Sequence, residues 1–181
     1  MRKAANCFKR AIEINPRKAD AHNGLGQVFN DKKGVKADYN SAIQYYNRAI
    51  ELEPKNPCYH RNKGVTYFCT KQYSAAVLCF DEAIRLNPNE CELYFIKGNA
   101  HKELKQFSEA QICYKKALEL KPNEDYKKKI GKSLAIVKGK LENNHSPNKN
   151  ENQRHSTSDD ELGINSEKIK YHNGNKRIKL T

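Results

Sequence analysis

A six-residue phrase recurs four times along this chain, and each copy closes with proline. The copies read AIEINP, AIELEP, AIRLNP and ALELKP, and they end at Pro16, Pro54, Pro88 and Pro122, at intervals of 38, 34 and 34 residues. Proline cannot continue a helix and biases the residue before it toward extended backbone, so each copy predicts the end of a helix. A fixed period of this length predicts a stack of repeated supersecondary units.

Four more positions repeat with the same spacing, two holding alanine, one an aromatic residue and one an aliphatic residue. They are Ala4, Ala42, Ala76, Ala110; Phe8, Tyr46, Phe80, Tyr114; Ala11, Ala49, Ala83, Ala117; and Ile14, Leu52, Leu86, Leu120. Steps of three and four residues place these columns on one face of a helix. The first interval is four residues longer, which predicts a lengthened turn between Phe29 and Tyr39.

A weaker motif precedes each of the last three copies and shares a glycine column at Gly26, Gly64 and Gly98. Because a glycine within a helix costs about 1 kcal/mol relative to alanine, three in one column predict a close contact between two helices. Each unit is therefore predicted to be a helical hairpin. The next glycine and proline positions hold Lys132 and Ser156, so the repeat ends there.

Together these columns resemble the tetratricopeptide repeat family over roughly residues 1–122. The resemblance implies an all-α, helix-turn-helix repeat solenoid that forms a right-handed superhelix, with the first helix of each pair lining a concave groove. The expected organisation is a half repeat at 1–16, repeats at 19–54, 57–88 and 91–122, a capping helix at 123–142 and a tail at 143–181. The half repeat raises the interpretation that the N-terminus is incomplete or is covered by a partner.

The tail is rich in Asn, Lys and Ser, and it is predicted to be disordered because it can bury little apolar surface. Ser156, Thr157 and Ser158 precede three acidic residues and resemble an acidophilic kinase site. Lys176, Arg177 and Lys179 resemble a minimal nuclear-import signal. Both patterns also arise by chance in a Lys-rich tail.

Neither catalysis nor a cofactor or metal is expected. His22 and His60 share a column with Tyr94, and Cys7, Cys79 and Cys113 share another, and both columns are expected to serve in packing. No segment of about 18 apolar residues and no export signal occurs, so the six cysteines are interpreted as reduced thiols in a cytoplasmic or nuclear protein without a membrane span.

If the family's groove is present, the repeat register predicts that polar, apolar and basic side chains on the first helices of the three full repeats line it. They are Asn23, Gln27, Asn30, Arg61, Asn62, Val65, Phe68, Phe95, Asn99 and Lys102. The amides of Asn23, Gln27 and Asn99 are expected to bond the backbone of an extended peptide, and Phe68 with Phe95 is expected to form an apolar pocket.

Chaperone adaptors of this family grip a terminal carboxylate with Lys, Asn, Asn, Lys and Arg. Here the corresponding residues are Asn23, Gln27, Asn62, Glu92 and Ile96. One match in five, with an acid in place of a base, argues against such a clamp.

The net charge is +13, of which residues 1–142 carry +11, and this favours acidic partners. Nucleic acid is disfavoured because the aromatic residues sit mainly in the core columns and leave few for base stacking. The leading hypothesis is a scaffold that holds a peptide or helix of a partner protein in the groove. One alternative is a substrate-selecting fragment of a larger enzyme or multisubunit complex, and a second is a basic surface for nucleic acid or acidic proteins.

Overall fold

A computed structural model describes residues 2–31 and 37–145 of the chain. These residues form eight α-helices and no strand, which confirms the all-α, helical-repeat prediction. The helices are α1 (Arg2–Ile14), α2 (Ala19–Asn30), α3 (Tyr39–Leu52), α4 (Pro57–Cys69), α5 (Tyr73–Leu86), α6 (Cys91–Glu103), α7 (Phe107–Glu119) and α8 (Glu124–His145). None of the helices in this part of the chain is both long enough and apolar enough to cross a membrane.

Short polar side chains start several of these helices by accepting bonds from backbone N–H groups that have no partner within the helix. Asp38 accepts from the Ser41 N–H at 3.0 Å before α3, and Asn123 accepts from the Tyr126 N–H at 2.9 Å before α8. At α4, Asn56 accepts from the Cys58 N–H while Pro57 occupies the first turn. Helices α2 and α6, which follow Pro16 and Pro88, begin without a side-chain cap bond.

The three hairpins α2/α3, α4/α5 and α6/α7 close around the glycine column. A Cβ atom added to Gly26, Gly64 or Gly98 would lie 2.6 Å from a ring carbon of the aromatic residue on the paired helix, which is Tyr46, Phe80 or Tyr114 respectively. Real Cβ atoms essentially never approach so closely. The predicted close contact is therefore confirmed, and it joins the glycine column to the aromatic column of the same repeat.

Helix α1 packs against α2 and places its aromatic residue differently. The Phe8 ring lies over Gly24, where an added Cβ would be 2.4 Å from the nearest ring atom. Cys7 is exposed, whereas Cys79 is half-buried and Cys113 buried. The packing role expected for Cys7 is therefore wrong, because α1 has no first helix of its own against it in the described chain.

Helix α8 closes the other end by covering the apolar face of α7. Ile130 and Val137 are fully buried in a cluster with Ala110, Tyr114 and Ala117. Lys132, at the glycine-column position, is exposed.

The end of α8 differs from the sequence-based boundary. Residues 143–145, assigned to the disordered tail, continue α8 to His145. The other tail residues and the turn at 32–36 lie outside the described residues, as do all six candidate phosphorylation and import residues.

Candidate functional site

Helices α2, α4, α6 and α8 lie side by side and form a surface that we call the first-helix face. Its continuity is shown by contacts between successive helices. Asn62 Nδ2 on α4 donates to Asn23 Oδ1 on α2 at 2.9 Å. Further along, the rings of Phe95 on α6 and Tyr126 on α8 pack edge to face with centroids 5.8 Å apart. The ten groove residues selected from the sequence belong to α2, α4 and α6.

At the α2 end this face presents amide side chains. Asn23 is held by its bond from Asn62, so the Asn23 carbonyl oxygen is already engaged. Gln27 is exposed. Asn30 buries its Oδ1, which has no hydrogen-bond partner within the described residues. Gln27 is therefore the amide on α2 that is most open to a ligand.

Arg61 on α4 is compensated by two carboxylates of the next repeat. Its Nη1 lies 3.1 Å from Glu90 Oε1 and 3.2 Å from Glu92 Oε2. Glu92 also accepts a hydrogen bond from Tyr126, and burial together with this bond raises the pKa of the Tyr126 phenol to about 12. This edge of the face is a network that joins repeats rather than a free cationic site.

Phe95 and Lys102 on α6 are both half-buried. The ring of Phe95 lies 5.9 Å from that of Tyr114 and packs against Tyr126 as well. The half-buried Phe95 ring thus packs toward α7 and α8, and its pairing with Phe68 in an apolar pocket stays a prediction. Lys102 Nζ lies 3.5 Å from Glu103 Oε1.

An apolar pocket does open beside Phe68, between α4, α5 and α6. Its volume is about 120 Å³, and it is lined by Val65, Phe68, Phe80, Ile96 and Asn99. Sequence reasoning selected Val65, Phe68 and Asn99 but missed the other two. Phe80 was assigned to the core, and Ile96 entered only as a mismatch to the clamp. The sequence signal that could have pointed to Phe80 is that the aromatic column holds phenylalanine there and tyrosine in the repeats on either side.

Asn99 has a defined orientation at this pocket. Its Oδ1 accepts a hydrogen bond of 2.8 Å from the Tyr114 hydroxyl. Burial is the main cause that raises the pKa of Tyr114 to about 12, so this phenol stays protonated at neutral pH and serves as a donor. The Asn99 amide NH₂ group is left to donate elsewhere.

Cys79 and Cys113 do not add a reactive thiol to this face. Burial raises the pKa of both Cys79 and Cys113, so neither is a ready thiolate nucleophile. The described residues contain no group of three or more His, Cys, Asp or Glu side chains placed to hold a metal ion.

The stacked hairpins and the shared face define a helical-repeat protein. Family models described as tetratricopeptide or TPR repeats match residues 2–32, 38–70, 57–90 and 91–124. The chain belongs to the tetratricopeptide repeat family. A search with the sequence finds no match among curated proteins.

Solved structures of the same architecture include the first TPR of Spaghetti (RPAP3) bound to the HSP90 peptide SRMEEVD. It is similar to this chain at 27% identity with a TM-score of 0.62, covering 70% of this chain and 94% of that one. Two structures of MamA match at 20% identity with TM-scores of 0.66 and 0.65; both matches cover 76% of this chain, and they cover 77% and 72% of the MamA chains. The repeats and the peptide-bound neighbour support a protein-interaction scaffold, and proteins of this family are typically interaction modules rather than enzymes.

Proposed function

We propose that the first-helix face binds an extended segment of a partner protein. The observation that carries this proposal is the apolar pocket, which is formed by side chains of adjacent repeats and has a polar amide on its wall. Small clefts with apolar walls and few oriented polar groups are the usual form of a recognition site. The NH₂ group of Asn99, which the bond from Tyr114 does not use, and the exposed amide of Gln27 are suited to bonding the backbone of such a segment.

The proposed partner segment is acidic and is not held by a carboxylate clamp. Residues 1–142 carry +11, which favours acidic ligands. The neighbour from Spaghetti is bound to a peptide with three acidic residues. In this chain Glu92 stands at a basic position of the clamp, and Arg61 is paired with Glu90 and Glu92. We therefore expect binding to rest on side chains along the segment rather than on its terminal carboxylate.

The test is a nuclease-treated pull-down from native lysate with the full chain, eluted in salt steps and followed by titration of the recovered partner. Lys102→Glu on the first-helix face is compared with Lys115→Glu, an exposed change on α7 that alters the net charge equally. We expect Lys102→Glu to weaken binding about tenfold or more and Lys115→Glu to weaken it little, because a distant charge is screened within about one Debye length. Equal losses would refute the face as the binding surface.

A second candidate function rests on Lys127, Lys128 and Lys129, which are exposed near the start of α8. Such a run favours polyanions, including nucleic acid. This reading predicts recovery only without nuclease, a steep fall of binding with salt, and loss when all three lysines become Glu. Protein recovery that survives nuclease treatment and this triple substitution would exclude it.

A further inference from the structure

The pocket lies beside Phe80, the one aromatic-column residue of the three full repeats that lacks a hydroxyl group. In the first full repeat, Tyr46 forms a hydrogen bond with Thr66 on the next first helix. In the third, the Tyr114 hydroxyl donates to Asn99 and also interacts with Ser133 on α8. The second repeat has Phe80 at this position, with its ring packed on Gly64 in the same way. Phe80 has no hydroxyl group to bond a neighbouring helix, and its side chain lines the pocket.

The open space is apolar. Val65 and Phe68 line it from α4, Ile96 and Asn99 from α6, and Phe80 from the α5 side, so four of its five lining residues are hydrocarbon side chains. The corresponding junction between α2 and α4 carries Gln27, Asn30 and Asn62, which are amides. An apolar ligand group is therefore favoured at the α4/α6 junction over the α2/α4 junction.

We infer that this pocket binds a single aliphatic side chain, of the size of Leu, Ile or Met, from an extended partner segment. The inference rests on the proposed function and names its specificity. A volume of about 120 Å³ suits a branched aliphatic group and is small for an indole ring. A charged group would lose its hydration against these walls without gaining a counter-ion. The Asn99 NH₂ group is then placed to bond the backbone of the same segment.

The size of the effect follows from burial of apolar surface. Full burial of one aliphatic side chain corresponds to about a tenfold to hundredfold gain in affinity over alanine at that position. Placing a hydroxyl group on the pocket wall should reduce this gain, because a polar oxygen there makes the site less favourable for an apolar ligand group. Phe80→Tyr does so with the residue that the chain already uses at the two neighbouring positions, Tyr46 and Tyr114.

The test uses the full chain labelled for NMR and short acidic peptides that differ at one central residue, which is Leu, Met, Trp or Ala. We expect Leu and Met peptides to bind about tenfold or more tightly than the Ala and Trp peptides, and to shift the signals of Val65, Ile96 and Asn99. In Phe80→Tyr the preference for the Leu peptide over the Ala peptide should fall severalfold. Tyr46→Phe, which alters the same hydroxyl one repeat earlier, should retain the preference for Leu.

The outcomes separate the pocket from the groove. If the peptides shift signals of the first-helix face but Leu and Ala peptides bind alike, or Phe80→Tyr keeps the preference, the pocket assignment is wrong and the groove proposal stands. If no peptide shifts a signal on the face, both are overturned. Circular dichroism and thermal unfolding of each variant verify that the loss of preference is not a loss of fold.

Discussion

The Nε2 atom of His60 lies 3.0 Å from the carbonyl oxygen of Pro54, six residues earlier. The same bond joins His22 Nε2 to Pro16 O at 2.9 Å, and the Tyr94 hydroxyl to Pro88 O at 3.0 Å. A carbonyl oxygen accepts only, so Nε2 carries the proton in both histidines. This column, expected to serve in packing alone, also ties each turn between repeats to the helix that follows it.

The change in stability on substituting His60 should therefore depend on whether the new side chain can donate a hydrogen bond, and not on whether it has a ring. We expect His60→Phe to lower the free energy of unfolding by about 1 kcal/mol, the usual net value of one hydrogen bond. His60→Tyr should lose much less, because Tyr94 makes the equivalent bond in the next repeat. Urea denaturation followed by circular dichroism provides the measurement. Equal losses in the two variants would assign this column to packing only.

A glycine-to-alanine substitution should have opposite effects on stability inside and outside the glycine column. Gly98→Ala should destabilise the fold by about 1–3 kcal/mol, because the new methyl group would overlap the buried ring of Tyr114. Gly131→Ala on α8 should stabilise by about 0.5–1 kcal/mol, since its Cβ would meet nothing within 4 Å and alanine favours the helix. Thermal unfolding compares the two, and a stabilising Gly98→Ala would contradict the packing described here.

Alkaline solution should unfold the protein through its buried tyrosines. Burial is the main cause that raises the pKa of Tyr46 and Tyr114 to about 12, above the usual value of about 10 in the unfolded chain. The stabilising contribution of each is complete below about pH 10 and is lost as pH rises toward about 12, because the unfolded state ionises first. The expected slope is about 1.4 kcal/mol per pH unit for each tyrosine.

Chemical denaturation at a series of pH values, with phenolate absorbance recorded in parallel, measures this slope. Tyr46→Phe and Tyr114→Phe should each make it shallower, whatever they do to stability at neutral pH. A slope unchanged in both variants would mean that other groups cause the alkaline loss.

Removing Arg61 should lower the free energy of unfolding by more than removing one partner of an exposed surface ion pair. Arg61→Met removes the contacts to Glu90 and Glu92 and leaves these carboxylates near each other, so we expect a loss of about 1 kcal/mol at low salt that shrinks as salt is added. Arg48→Met is the matched control, because Arg48 forms one exposed pair with Glu51. Urea denaturation at two salt concentrations should show little change for this control; equal losses would mean that the network does not couple the repeats.

Periodicity alone predicted the helices, their order and their buried faces. Ala76, Phe80 and Ala83 recur at helical steps, and in the structure all three are buried on α5. The proline and glycine columns predicted where helices end and where they approach. This succeeds because a helix places residues three and four apart on one face, so a local pattern determines which face is buried.

The partners of individual side chains were decided by the stack. Arg61 meets Glu90 and Glu92 from the next repeat, and Phe95 is covered by Tyr126 of α8, so two residues selected for binding are engaged within the fold. Phe80 lines a pocket together with side chains of α4 and α6, whereas the hydroxyl groups of Tyr46 and Tyr114 bond neighbouring side chains. A repeat pattern determines which face of its own helix a side chain occupies. Contacts and cavities, by contrast, depend on the shapes of all the helices that meet there.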